Sequence, residues 1–166
     1  RQKGPDGRIV FGPDRNPELI NFDYQNLKDF FSEMEIRADW FDNPYPAIWE
    51  KYVFIAAFGL TTAYSGKSIG GVLEDSELKD LTESIMKEII MVARSKGIDL
   101  KHGVIESSMQ VARGFPYDAT TSFQKDYSKG DGRNEGDIFG GTLIRMAKNR
   151  GISIPNITEI YNKLIS

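Results

Sequence analysis

The stretch YPAIWEKYVFIAAFGLTTAYSG, residues 45–66, decides the fold. After Lys51 no charged residue occurs until Lys67, and Ile48, Trp49, Tyr52, Val53, Ile55, Ala56, Phe58 and Leu60 leave the segment almost no polar side. A helix that is apolar all round belongs either in a protein core or in a membrane. The run is too short to span a bilayer, so it predicts a central core helix. The preceding DNPYP supplies a start signal, with Asn43 as a candidate cap and proline tolerated in the first turn. The predicted helix runs from Pro46 to Ser65, with Gly66 just past its end. Lys51 then stands where the helix is about to be enclosed, with Ile48, Trp49 and Tyr52 around it.

Working downstream, the pattern stays helical. Glu77–Lys96 places Leu78, Leu81, Ile85, Ile89, Val92 and Ala93 on one face and closes at Gly97. Further helices are expected over 103–112, over 134–149 and after Pro155, while SFQKDYSKGDGRNEGD (122–137) reads as a polar, glycine-rich loop. Upstream, GRIVFG (7–12) and IRADWF (36–41) read as short strands flanking a helix over 24–34. Two strands are too few for an independently stable sheet, so this unit reads as the tail of a larger α/β sheet. The expected fold class is therefore mainly α. A helical domain of about five helices, residues 42–166, follows a β-α-β remnant of a Rossmann-type domain, residues 1–41. A chain opening at Arg1 instead of methionine is expected to be a piece of something longer.

The totals exclude several functions. With 166 residues, a net charge of -3 and scattered Lys and Arg, the chain lacks the basic surface of a nucleic-acid binder. The absence of cysteine excludes disulfides and thiolate metal sites, and suits a cytoplasmic protein. No metal, nucleic acid or membrane is expected as a partner. Two motif-like stretches fail on spacing. AYSGKS ends like a phosphate-binding P-loop but has Thr61 where the first glycine belongs, and it follows a helix. GDGRNEG (130–136) is one residue too long for G-x-G-x-x-G, and no buried strand precedes it. His102, flanked by lysine and glycine, reads as a surface residue.

Lys51 is the chemically informative position. Its plain reading is a stem lying along the core with its ammonium in water. Against that, positions 51, 55, 59 and 62 share one helix face and read Lys, Ile, Gly, Thr. Gly59 removes bulk one turn beyond Ile55, leaving room for a ligand. A desolvated lysine has its pKa drawn toward neutrality and suits general-acid work on an oxygen gaining negative charge, such as a carbonyl receiving hydride. Glu135 is a candidate carboxylate to hold it charged.

Two segments carry a resemblance. IWEKYVFIAAFGLTTA, and then TTSFQKDYSKGDGRNEGDIFGGTLIRMAKNRGISIPNITEIYNKL, resemble the C-terminal domain of ketopantoate reductases (2-dehydropantoate 2-reductases), a 6-phosphogluconate dehydrogenase C-terminal-like helical domain. GRIVFG and IRADWF resemble the last strands of that family's nucleotide-binding domain. The resemblance implies an NADPH-dependent oxidoreductase of pantothenate biosynthesis, in which this chain works with its own N-terminal Rossmann domain. The substrate would be a small 2-oxo acid. Lys51 would be the catalytic proton donor and substrate contact, Ser122 a substrate-binding residue and Glu135 a cofactor-binding one, with Asp131 as a weaker alternative. Ser122 reads equally as a helix cap, and Asp126 as a brace for the loop. The piece alone is expected to be inactive.

The resemblance breaks at three positions. Asparagines usual in the family are replaced by Ile55, Gly59 and Ile69, so a less polar 2-oxo acid is expected. The rival reading is a helical binding or dimerisation module that kept the fold and lost the chemistry. A different dehydrogenase with a helical C-terminal domain is a second rival. Aromatic residues near the two ends leave a homodimer open.

Overall fold

The computed structural model describes residues 8–14, 22–130 and 136–166. The chain divides into two compact units, residues 1–48 and 49–166.

In the first unit, strand β1 (Ile9–Phe11) pairs in parallel with β2 (Ala38–Trp40), with Ile9 opposite Ala38 and Phe11 opposite Trp40. Helix α1 (Tyr24–Glu33) lies between them in sequence. Asp23 caps α1, its carboxylate accepting from the amides of Gln25 and Asn26. The unit is held by rings: Phe11 meets Phe31 and Trp40 edge-on at 5.2 and 5.3 Å, and the Lys28 ammonium lies over Trp40. No residue of α1 is fully buried. Strand, helix and parallel strand therefore occur as the sequence predicts.

Helix α2 (Tyr45–Ser65) begins in the first unit and forms the axis of the second. From Ala56 to Ala63 every residue of α2 is buried. Side chains that lack charge all round leave no face to hydrate, and neighbours therefore cover every face. Gly66 follows with φ 71°, the left-handed conformation that ends a helix at little cost for glycine. Around α2 come α3 (Ile69–Glu74), α4 (Ser76–Ser95), α5 (Val104–Arg113), α6 (Ser122–Ser128), α7 (Thr142–Lys148) and α8 (Pro155–Ile165). A π-helical turn, Asp137–Gly141, runs directly into α7. Ile85, Met86, Ile89 and Val92 of α4 and Ile157 and Ile160 of α8 complete the core.

Four of the five long helices expected downstream match closely; the fifth, expected over 134–149, contains the π turn and α7 in its described part, its first two residues lying outside the described residues. Helices α3 and α6 are additional. The segment read as a polar loop holds α6 because Thr121 accepts from the Gln124 amide and caps it, while Phe123 is buried. One aromatic anchor and one cap outweigh an otherwise polar composition.

Two polar contacts lock the helices to one another. The hydroxyls of Thr61 and Thr82 lie 3.1 Å apart inside the core, joining α2 to α4. Glu88 of α4, only 3% exposed, accepts from the Asn156 amide, the Asn156 side chain and the Ile157 amide. It thereby satisfies the first-turn donors of α8, a helix that lacks a side-chain cap of its own. Among the described residues no helix is long and apolar enough to cross a membrane.

Candidate functional site

A cavity of about 450 Å³ opens beside α2, within the second unit. Its walls come from one face of α2 (Tyr52, Phe54, Ile55, Phe58), from Ile69 and Phe115, from Thr120–Phe123, and from Ile138 and Phe139 of the π turn.

Each wall is held for a local reason. The first amides of α3 reach the 117–119 segment, Ile69 N–H donating to the Ala119 carbonyl (2.8 Å) and Gly70 N–H to that of Tyr117 (3.0 Å). A Cβ at residue 70 would collide with the Tyr117 backbone, so only glycine allows this approach. The tether fixes Thr120–Ser122 at the rim. Thr121 is spoken for twice, by the Gln124 amide and by the Thr62 hydroxyl of α2 at 2.9 Å. Ser122 is therefore not the cap. Its exposed hydroxyl has no hydrogen-bond partner among the described residues, and it faces the cavity.

The opposite wall depends on the π turn. Arg145 clamps Asp137 through both oxygens, at 2.8 and 2.7 Å. The guanidinium bond holds the Asp137 carboxyl below its usual range, against an opposing effect of desolvation. The Tyr161 ring lies over Gly140, where any Cβ would overlap it. Tyr52 of α2 donates its hydroxyl to the Ile138 carbonyl, and burial pushes that phenol well above its ordinary value. These contacts present Phe139 to Phe123, edge-on at 5.4 Å.

Lys51 is exposed, and the expected enclosure of its ammonium is not found. Burial on α2 is patchy at first, with Trp49 and Val53 enclosed, and becomes continuous only from Ala56. Lys51 falls in the stretch before that continuous burial and is open to solvent. It is not a wall of the cavity, but it sits one helical turn before Ile55, which is. Lys51 carries no ion pair or hydrogen bond among the described residues. Glu135 and Asp131 lie outside the described residues. Asp126 pairs with Lys129 at 2.6 Å, and His102 is exposed.

The structure thus brings Ser122, Ile55 and Ile69 to one cavity, with Gly59 lying under its rings: a Cβ there would rest 3.4 Å from Phe139 and 3.5 Å from Phe123. The space beside Gly59 is taken by these two phenylalanines and is not open to a ligand. Sequence reasoning missed Phe115, Thr120, Phe123 and Phe139 as lining residues. The only available signal was the TTSF and DIFGG pair flanking the glycine-rich segment.

The family model described as "Ketopantoate reductase PanE/ApbA C terminal" matches residues 44–166. The chain belongs to the ketopantoate reductase C-terminal family. Among curated proteins, the "Uncharacterized oxidoreductase YkpB" of Bacillus subtilis is 30% identical over 118 residues, 70% of this chain and 38% of that protein. The 2-dehydropantoate 2-reductase of Halobacterium salinarum is 25% identical over 118 residues, 71% of this chain and 38% of that enzyme. Among solved structures, the PanE/ApbA family ketopantoate reductase of Ralstonia eutropha superposes with a TM-score of 0.82 at 22% identity, over 96% of this chain and 50% of that one. The chain therefore spans well under half the length of these curated relatives.

Oxidoreductases of this family bring a nicotinamide dinucleotide into question. Its pyrophosphate needs free backbone amides at a helix start. The helix that follows β1 opens on Asp23, whose carboxylate already takes the Gln25 and Asn26 amides. That helix start therefore offers the dinucleotide no free cradle.

Proposed function

We propose that this chain is the substrate-side domain, residues 42–166, of an NADPH-dependent reductase that converts 2-dehydropantoate or a related 2-oxo acid to the 2-hydroxy acid. Residues 1–41 are the tail of its nucleotide-binding domain. The observation that supports this best is a cavity of small-ligand size with, at its rim, a serine hydroxyl and, one turn from its wall, a lysine, neither engaged by any of the described residues, in a chain of this family. A volume of about 450 Å³ lies within the range of small-molecule sites.

When bound, the reduced nicotinamide would supply hydride to the keto carbon. The part of this chain is the proton and the placement. The Ser122 hydroxyl donates to an oxygen of the substrate and fixes its head at the rim. The Lys51 ammonium, on a flexible four-carbon stem one turn before the cavity wall at Ile55, gives a proton to the keto oxygen as charge develops there. Because the amine is open to water, solvent returns the proton after each turnover. Glu135, outside the described residues, keeps the cofactor-contacting role that the family resemblance gives it.

The test is oxidation of NADPH, and of NADH for comparison, by the full-length protein carrying this chain, across a panel of 2-oxo acids. Turnover of at least one of them with saturation supports the reading. No turnover with any, together with a tight self-associating helical domain, would support a binding or dimerisation module instead.

A further inference from the structure

The walls of the cavity set which 2-oxo acid it can take, an inference that rests on the reading just given. Away from the rim hydroxyls of Thr120 and Ser122, the lining is Ile55, Ile69, Phe115, Phe123, Ile138 and Phe139, and the hydroxyls of its Tyr52 and Thr121 are already engaged by the Ile138 carbonyl and by Thr62 and Gln124. The aromatic walls are arranged in pairs. Phe54 and Phe115 stack at 5.9 Å with their planes 15° apart, while Phe123 and Phe139 meet edge-on at 5.4 Å. Neither pair has a polar group to offer a guest. The apolar surface is also fixed in place. Phe123 is 1% and Phe139 5% exposed, and both rings already lie against Gly59, so neither can withdraw to admit a polar side chain there.

We infer that the cavity takes a 2-oxo acid whose side chain is an aromatic ring, with the carboxylate end at the Thr120 and Ser122 hydroxyls and the ring against the accessible Phe115 and Ile138, above the buried rings of Phe123 and Phe139. A ring in this position continues the offset and edge-on contacts its neighbours already make. A substrate whose side chain bears a hydroxyl must bury that group without a partner. A hydrophobic pocket rejects an added hydroxyl by about 10² at most, and this sets the scale of the discrimination.

The experiment compares kcat/KM of the full-length protein for phenylglyoxylate and for 2-dehydropantoate, together with the equilibrium affinity of the two acids measured by NMR line broadening without cofactor. The expected result is a preference of roughly 10² for phenylglyoxylate. Ile55→Asn, which puts an amide into the wall without altering the buried rings, should narrow that preference tenfold or more. Equal or better use of 2-dehydropantoate by the wild-type protein would overturn the inference while leaving the reductase reading intact. Should no 2-oxo acid be reduced, tighter binding of phenylglyoxylate that Ile55→Asn weakens would sustain the inference and defeat the reductase reading. Binding of neither acid would overturn it.

Discussion

Replacing Glu88 with alanine tests how the bundle is held together. The carboxylate accepts from the Asn156 amide at 2.9 Å, the Asn156 side chain at 2.7 Å and the Ile157 amide at 2.9 Å. Hydrogen bonds to a charged group each contribute about 1.5–3 kcal/mol, but these three share one carboxylate whose burial is itself costly, so they do not add. Asn156 is half-buried and can regain water, whereas Ile157 is fully enclosed and its amide is left orphaned. An orphaned buried donor costs about 1–3 kcal/mol. The loss of negative charge at a helix start adds up to about 1 kcal/mol. The expected destabilisation is about 1–4 kcal/mol. With a urea m-value of about 2 kcal/mol/M, the unfolding midpoint should fall by roughly 0.5–2 M at constant m. Glu88→Gln keeps the volume and one acceptor but turns an amide donor toward α8, and should cost about half as much. A fall under about 1 kcal/mol for Glu88→Ala would show that α8 does not depend on this cap.

Other expectations concern the cavity walls and pH. Gly140→Ala places a methyl inside the Tyr161 ring and should cost about 1–3 kcal/mol, read by thermal unfolding; an unchanged Tm would mean that α8 does not press on the π turn. The Tyr52 phenol is pushed up by burial, so it should stay protonated while exposed tyrosines ionise, and Tyr52→Phe should leave the ultraviolet titration through pH 10–11 unchanged. The Asp75 carboxyl is held below its usual 3.8 by its bond to Lys67 and by the Leu78 amide. Its contribution is therefore complete above that pH and is lost as pH falls further through the folded-state value. Asp75→Asn should flatten the acid side of a stability-against-pH curve below pH 3.8, and an unaltered curve would refute the linkage.

Much of the fold was written locally. The absence of charge from 52 to 66 forces α2 inside whatever its neighbours are, and Gly66 past its end needs no tertiary information. The same is true of α4, whose apolar stripe shows one face to the core. The expected cap Asn43 does not hold the cap position, α2 opening at Tyr45 after Pro44. Helix α6 was hidden because its stability comes from Phe123 reaching a distant wall and from a threonine that composition counts as loop. The burial of Lys51 was misjudged for a related reason. Sequence shows that a helix is apolar, but how far along it the bundle extends depends on partners hundreds of atoms away in the chain. Of the site, Ser122, Ile55 and Ile69 could be picked out in advance, whereas the rings of Phe115, Phe123 and Phe139 meet only through folding.

The central claim is that Lys51 delivers the proton in reduction of a 2-oxo acid. Single-turnover measurement of the full-length Lys51→Ala variant with its best 2-oxo acid, with and without added methylamine, addresses it most directly. The account predicts a rate lower by roughly 10²–10⁴ with partial recovery on adding the amine, since the exposed position of residue 51 admits methylammonium as a substitute proton donor. A variant that reduces the acid as fast as the wild-type protein would contradict it.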